Sequence, residues 1–570
     1  MRSFLVARGS EEIHPTPCIT ACPVLQLLRD DRSQGSVPDT TRTEKGDPVS
    51  SLHTEMSAAA RANSLSEVLR RSAARHRNKT ALIDGSKELS YREFDAVVDA
   101  VAYSLEHNGV RPGDRVALLS RNNWEYVALV WGSARLGAVL VPINFMLTAP
   151  EVAYILGDAE VSIAFVQPAL AEVMDEALHS SGLGSVPRVL LTEGDSEASG
   201  FEQWLHDAPG GWEAPNVPDD APVRIMYTSG TESRPKGALL SSRALIAEYT
   251  SCIIDGGMSV DDIDLHTLPL YHCAQLDCFL GPDIMLGATS IILPAPDPAA
   301  VLSTIEKYSV TKYFAPPTVW ISLLRSPEFE QTDLGSLCKG YYGASPMPIE
   351  VLRELGERLP NVDLWNFYGQ TEIAPVAAIL PPAEQVSAAG AAGWPALNVE
   401  TRVVNDDGEP VPAGVVGEIV HRTPQATLGY WRAPEKTAEA FRDGWFHSGD
   451  LGVMDEDGRL TIVDRKKDMI KTGGENVASR EVEEALYRHP DIAEAAVFGV
   501  SDPKWVEAVV AVVVLKSGSS VGETELMAHC RSVLAPFKCP KRIIFDDQLP
   551  KNPSGKILKR VLREQLAVDA

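Results

Sequence analysis

A run of hydroxyls and glycines, Tyr227-Thr228-Ser229-Gly230-Thr231-Glu232-Ser233-Arg234-Pro235-Lys236-Gly237, follows a buried-strand pattern ending at Ile225-Met226-Tyr227. Backbone N–H groups and the hydroxyls of Thr228, Ser229 and Thr231 can wrap phosphate oxygens there. Gly230 lets the main chain come close, and Lys236 adds a point charge. No Gly-Lys-Ser/Thr closes the run, so it is not a Walker A loop. Farther on, Asn366-Phe367-Tyr368-Gly369-Gln370-Thr371-Glu372 follows the strand-like Val362-Asp363-Leu364-Trp365. Tyr368 offers a ring face to adenine, Thr371 a donor to the α-phosphate, and Glu372 a hard oxygen for Mg²⁺. Near the C-terminus, Pro550-Lys551-Asn552-Pro553-Ser554-Gly555-Lys556-Ile557 sets Lys556 on a flexible turn. A lysine on such a turn can be brought to a phosphate-holding loop from a second domain.

These pieces need a scaffold. Ser64-Leu65-Ser66-Glu67-Val68-Leu69 predicts a helix start, with a hydroxyl cap and an early acid. Arg115-Val116-Ala117-Leu118-Leu119 and Ala138-Val139-Leu140-Val141-Pro142 read as buried strands separated by helices. That alternation predicts parallel sheets covered by helices. Val186 to Pro222 is rich in Pro, Gly and acids and reads as a surface connection. After Asp450 the texture changes to short strands and hairpins, such as Met454 to Leu460. Beyond Lys467 a compact α+β unit is expected, with a helix near Arg480–His489 and an apolar strand from Ala508 to Leu515. Residues 1–55 mix charges, Pro, Ser and Thr without periodicity and read as a disordered extension, with Met56 as a natural start.

The chain has 570 residues, enough for two to four domains or subdomains, and 44% of them are apolar. Its net charge of −26 argues against nucleic acid as a partner. The eight cysteines are scattered, as for free thiols in a reducing cytosol. Cys18 and Cys22 lack a second pair that would complete a metal set. The best membrane candidate, Leu129 to Leu147, is interrupted by Arg135, Pro142 and Asn144, and no signal pattern precedes the fold. The expected location is the cytoplasm, with no transmembrane segment.

Taken together, the phosphate loop, the Tyr-Gly-Gln-Thr-Glu segment and the Pro-Lys-x-x-x-Gly-Lys-Ile segment resemble the adenylate-forming superfamily. Its loop usually reads Thr-Ser-Gly-Thr-Thr-Gly-x-Pro-Lys-Gly, so Glu232 and Ser233 are departures here. Three further segments match in order. Gly340-Tyr341-Tyr342-Gly343-Ala344-Ser345-Pro346 is similar to the segment lying along adenine and the acyl pocket, implying contacts by Gly343, Ala344 and Ser345. Trp445 to Asp450 is similar to the motif whose Asp holds both ribose hydroxyls. Asp464 to Asn476 is similar to the hinge motif. There the resemblance assigns Arg465 to ribose and phosphate, Lys467 to the pivot, and Gly473 and Gly474 to the pantetheine tunnel. It covers roughly Ser64 to Leu566. It implies an α/β fold with three parts. A large N-terminal AMP-binding domain, residues 56–466, carries helix-covered, mostly parallel sheets and a small β subdomain. A small mobile α+β C-terminal domain spans 467–570.

Leu268-Pro269-Leu270-Tyr271-His272 separates the branches. Amino-acid-activating members place an Asp nearby to pair with an ammonium. Tyr271-His272 instead resembles acyl- and aryl-CoA ligases, which places His272 beside the thiol route. No carrier domain follows Ala570, which also disfavours a peptide-synthetase module. Cys273, Ala274, Leu276, Thr318, Val319 and Trp320 are expected near the acyl pocket, and their apolar character favours a fatty acid over a hydroxylated cinnamate, with Gln275 and Asp277 as polar exceptions. The expectation is a fatty-acyl-CoA synthetase. ATP and Mg²⁺, on Thr228 and Glu372, would form acyl-AMP and pyrophosphate, with Lys556, Thr371, Glu372 and His272 as catalytic residues. Coenzyme A would then take the acyl group. Three rivals stay open: a ligase loading an acyl carrier protein, a non-catalytic acyl-AMP-binding regulator, and a luciferase-like oxygenase. Oligomeric state also stays open.

Overall fold

Strands that are apolar on both faces over most of their length, such as Arg115–Leu119, Val139–Ile143 and Val161–Val166, have no side to give to water and must be covered on both faces. In the computed structural model they lie at the middle of a six-stranded sheet. Its order runs Arg188–Leu190, Val161–Val166, Arg115–Leu119, Val139–Ile143, Pro222–Thr228 and Lys236–Ser241. Every neighbouring pair is parallel except the last, which forms a hairpin. The structure describes residues 60–192, 200–228, 235–345, 347–473, 475–502, 504–551 and 557–568. Ser229, Gly230, Thr231, Gly474, Lys556, Cys18, Cys22 and the extension 1–55 lie outside them.

Among the described residues a second sheet has nine strands. Its parallel centre places Asp363–Gly369, Lys339–Gly343, Lys312–Phe314, Ile263–His266 and Thr289–Ile292 side by side. Antiparallel strands flank it at both edges. A five-stranded antiparallel sheet follows, from Glu400–Val404 to Leu460–Arg465. The C-terminal sheet is mixed and includes Ile492–Asp502, Val506–Leu515 and Arg542–Phe545, with Ser479–Tyr487 among its helices. Arg480 ties this part to the preceding one, donating to the carbonyls of Ile462 at 2.7 Å and Gly390 at 2.8 Å. The expected α/β class, with a β subdomain and an α+β C-terminal part, is therefore observed.

Several local readings hold. Ser64 caps the helix Leu65–Arg75, accepting from the Glu67 N–H at 3.4 Å. The Leu129–Leu147 stretch divides between the helix Trp124–Leu136 and the strand Val139–Ile143. Among the described residues no helix is long and apolar enough to cross a membrane. Two readings change. The Val186–Pro222 connection contains the strand Arg188–Leu190 and the helix Gly200–Trp204. Phe201 explains this: it is fully buried, with its ring 5.7 Å from that of Trp124. One aromatic anchor outweighs a polar composition. The strand expected to end at Trp365 runs on to Gly369.

The β subdomain also carries a pH dependence. His421 is buried, and its Nδ1 lies 3.0 Å from the Thr401 hydroxyl. Burial pushes its pKa from 6.5 down to about 4. The unfolded chain therefore binds more protons between these values. Stability is complete above about pH 6.5 and falls as the pH drops towards 4, by roughly 3 kcal/mol in all. His421→Gln is expected to flatten this part of the curve of melting temperature against pH. An unchanged slope would assign the acid sensitivity elsewhere.

Candidate active site

In open α/β sheets, the loops beyond the carboxyl ends of parallel strands gather ligand-binding groups. Four adjacent strands of the nine-stranded sheet do this here. Ile263–His266 leads into the Leu268–His272 loop, Lys312–Phe314 into Pro316, Lys339–Gly343 into Ala344 and Ser345, and Asp363–Gly369 into Gln370, Thr371 and Glu372. The turn after Tyr368 requires glycine, because a Cβ on Gly369 would lie 1.7 Å from the Pro375 carbonyl oxygen. Ala344 adopts a φ of +63°, a left-handed conformation that side chains resist and that functional loops concentrate.

Asp450 joins two of the segments. It is buried on the strand Trp445–Met454. Its Oδ2 accepts from the Tyr368 hydroxyl and from the Gln370 amide, each at 2.8 Å. Its Oδ1 lies 3.3 Å from Arg465 Nε, and Asp450 and Arg465 are paired across neighbouring strands. Gln370 also donates to the Ser448 carbonyl at 3.0 Å. Burial and the Asp450 charge push the Tyr368 phenol far up, so it remains a donor.

The flanks of the phosphate loop are the directly paired Thr228 and Lys236. Lys236 Nζ sits 5.5 Å from the centre of the Tyr430 ring. The Tyr430 hydroxyl donates to Glu372 Oε1 at 2.9 Å, and the Thr427 N–H donates to the Glu372 carbonyl at 2.8 Å. Thr427–Trp431 thus laces the hairpin to the carboxylate, with the Trp431 N–H donating to the Gly237 carbonyl at 2.7 Å. Tyr430 is a site residue that sequence reasoning missed. The aromatic pair Tyr430-Trp431, directly after a glycine, was the available signal.

Beside this lies a small cavity whose lining includes Leu268, His272, Ala274, Gln275, Phe314 and Ala344. His272 Nδ1 accepts from the Ala274 N–H at 3.1 Å. Behind the cavity the Phe279 ring stacks on Phe314 at 4.3 Å and on Phe367 at 5.5 Å. Several expected pocket residues are elsewhere. Cys273 turns towards Thr371, its Sγ 3.2 Å from the Thr371 hydroxyl. Leu276 joins the core built around Trp131. Asp277 is fully buried in an ion pair with Arg224. Trp320 is buried and donates to the Tyr341 carbonyl at 3.0 Å. For Leu276 and Asp277 the cause is the π-helical turn Leu276–Leu280, which changes the facing of the residues after Gln275.

In the hinge segment, partial burial, then the neighbouring Arg465 cation, lower the pKa of Lys467. Gly473 has a φ of +62°, and its N–H donates to the Trp505 carbonyl at 2.8 Å. The contacts recorded for Gly473 are therefore within the C-terminal sheet.

Residues 69–431 match the family model described as AMP-binding enzyme, and 481–556 match that of the AMP-binding enzyme C-terminal domain. A feruloyl-CoA synthase of an Amycolatopsis species is 39% identical over 486 residues, 85% of this chain and 96% of that protein. An indoleacetate–CoA ligase of Aromatoleum aromaticum is 35% identical over 514 residues, 88% of this chain and 98% of that protein. The ATP-bound structure of MatB from Rhodopseudomonas palustris superposes with a TM-score of 0.81 at 31% identity, covering 88% of this chain and 98% of that one. The chain belongs to the adenylate-forming AMP-binding family, on its acyl-CoA synthetase branch, and is an AMP-forming acid–CoA ligase.

Proposed function

We propose that the acid is compact and largely apolar, of aryl size, and that it is activated as acyl-AMP before transfer to coenzyme A. The carrying observation is that the cavity lined by Leu268, His272, Ala274, Gln275, Phe314 and Ala344 is small and is backed by the Phe279 ring stacked behind Phe314. Such a site suits a flat or short acid, and the feruloyl- and indoleacetate-activating relatives act on acids of that kind. A medium- or long-chain fatty acid is the second reading. It is favoured by the uncharged character of the lining residues and needs room beyond the Phe314–Phe279 stack. An acyl carrier protein presents the same pantetheine thiol as coenzyme A and is the alternative acceptor.

Acid–CoA ligases of this family use ATP, Mg²⁺ and coenzyme A. The donors here fit the metal: Glu372 presents a carboxylate oriented by Tyr430, and Thr228 a hydroxyl, both hard oxygens. When bound there, Mg²⁺ neutralises phosphate charge. Ser229, Gly230, Thr231 and Lys236 cradle the phosphates, and Thr371 donates to the α-phosphate. Asp450 accepts from the ribose hydroxyls, with Arg465 beside it. Gly343, Ala344, Ser345 and the Tyr368 ring line the adenine site. The acid carboxylate attacks the α-phosphorus, forming the P–O bond of acyl-AMP as the bond to pyrophosphate breaks. Lys556 stabilises the charge that accumulates. The segment beyond Lys467 then turns about that residue, and the thiol approaches past His272, Gly473 and Gly474 while AMP leaves. Closure of this kind protects the mixed anhydride from water.

Two tests follow. AMP release and thioester formation are measured across aryl acids and C8–C18 fatty acids, with and without coenzyme A. An aryl optimum supports the first reading, and a C12–C18 optimum replaces it with the second. Acyl-AMP that coenzyme A does not discharge would move the acceptor to a carrier protein. Separately, Asp450→Asn keeps the shape but removes the charge that Tyr368, Gln370 and Arg465 share. It is expected to lower kcat/KM for ATP roughly 10- to 100-fold, the equivalent of one charge-assisted hydrogen bond. Unaltered ATP kinetics would remove Asp450 from the nucleotide site.

A further inference from the structure

Two buried groups of metal-ligating side chains occur among the described residues: Asp264, His266 and Asp283, and Glu248, Cys252 and Cys278. The first already holds a cation. Lys312 Nζ lies 3.1 Å from Asp264 Oδ2 and bonds Asp283 as well. The second group differs. Cys252 Sγ donates to Glu248 Oε1 at 3.0 Å, and Glu248 Oε2, fully buried, has no hydrogen-bond partner. A buried carboxyl oxygen left unmatched is costly and calls for an explanation.

The geometry suits a metal ion. Glu248 and Cys252 are four residues apart on the helix Ser242–Asp255, hence on one face, and Cys278 approaches from the turn Leu276–Leu280. One ligand atom from each of the three lies within 4.8 Å of the others. Tetrahedral zinc with two sulfur ligands sets the sulfurs about 3.8 Å apart, inside that span. Burial raises the pKa of both thiols and of the carboxyl.

We propose that Glu248, Cys252 and Cys278 form a structural zinc site, with two thiolates and a Glu248 carboxylate oxygen as its protein ligands, behind the cavity. Binding as thiolates releases one proton from each sulfur. The two thiolates cancel the charge of the ion, and the Glu248 carboxylate leaves one net negative charge. Sulfur ligands select zinc over magnesium, so this site does not compete with the nucleotide's metal. The ion pins the helix Ser242–Asp255 to the turn that carries Phe279, and Phe279 stacks on the pocket residue Phe314. Its role is to stiffen the pocket floor. Being enclosed, the site fills as the chain folds.

The test uses the full chain, produced with zinc in the medium and desalted through a chelator. Elemental analysis should find about one zinc per chain. Cys252→Ser combined with Cys278→Ser, and separately Glu248→Gln, should lose it, whereas Cys338→Ser, at an exposed thiol, should retain it. Less than about a tenth of an equivalent in the unaltered protein overturns the site, as does zinc retained by the double variant. If the cysteine variants do not fold, protein produced in cobalt decides. Near-ultraviolet sulfur-to-cobalt absorption supports the site, and cobalt bound without it, or not bound, refutes it.

Discussion

Replacing Asp277 by alanine is expected to lower the unfolding free energy by about 3–5 kcal/mol, because it strands a guanidinium in the core. Asp277 and Arg224 are both fully buried and bond each other directly, and the Tyr249 hydroxyl adds a contact to Asp277 at 3.3 Å. Such a pair need not stabilise the fold relative to well-packed apolar residues, since desolvation offsets much of the attraction. Removing one member is different, because the other keeps its charge and loses its compensation. The location makes the effect functional. Arg224 lies on Pro222–Thr228, which leads into the phosphate loop, and Asp277 lies five residues beyond His272. Together they brace the phosphate and acid sides of the site. Denaturant unfolding of Asp277→Ala measures the loss, and the double change Arg224→Leu with Asp277→Leu should recover most of it. A single-variant loss below about 1 kcal/mol would show that water or a neighbour compensates Arg224.

Lys556→Ala is expected to slow acyl-AMP formation on the order of 10²- to 10³-fold, while acyl-AMP supplied to the enzyme still reacts with coenzyme A. An ammonium that meets the phosphoryl oxygens only as charge accumulates acts on the barrier rather than on ground-state binding, so kcat should fall more than KM for ATP rises. In thioester formation the new charge falls on the departing AMP oxygen, after the proposed turn about Lys467 has carried Lys556 away, which is why the two half-reactions should separate. Pyrophosphate exchange reads the first and thioester release from supplied acyl-AMP reads the second. Equal loss in both would take Lys556 out of the adenylation step and make it structural.

How much was legible depended on distance along the chain. The turn at Tyr368-Gly369-Gln370-Thr371-Glu372 announces itself because Gly369 has no room for a Cβ and the polar groups must be contiguous to crowd around one ligand. The parallel sheets were readable because a strand covered on both faces, such as Val139–Ile143, cannot alternate in polarity. The partners of those local pieces were not. Nothing near Glu372 announces Tyr430, and nothing near Asp450 announces that Tyr368 and Gln370 would share its Oδ2. Asp277 read as a polar pocket residue because its counter-ion, Arg224, lies 53 positions away.

The sequence by itself therefore determined the family, through its motif segments, and the mostly parallel, helix-covered apolar strands. Each is a contiguous stretch whose backbone geometry or two-sided burial only certain residues satisfy. Tertiary structure alone decided the aromatic packing behind the cavity, the buried ion pair and the orientation of Glu372. Those rest on Phe279 meeting Phe314, Arg224 meeting Asp277 and Tyr430 meeting Glu372, contacts between separate elements that packing creates and local pattern does not record.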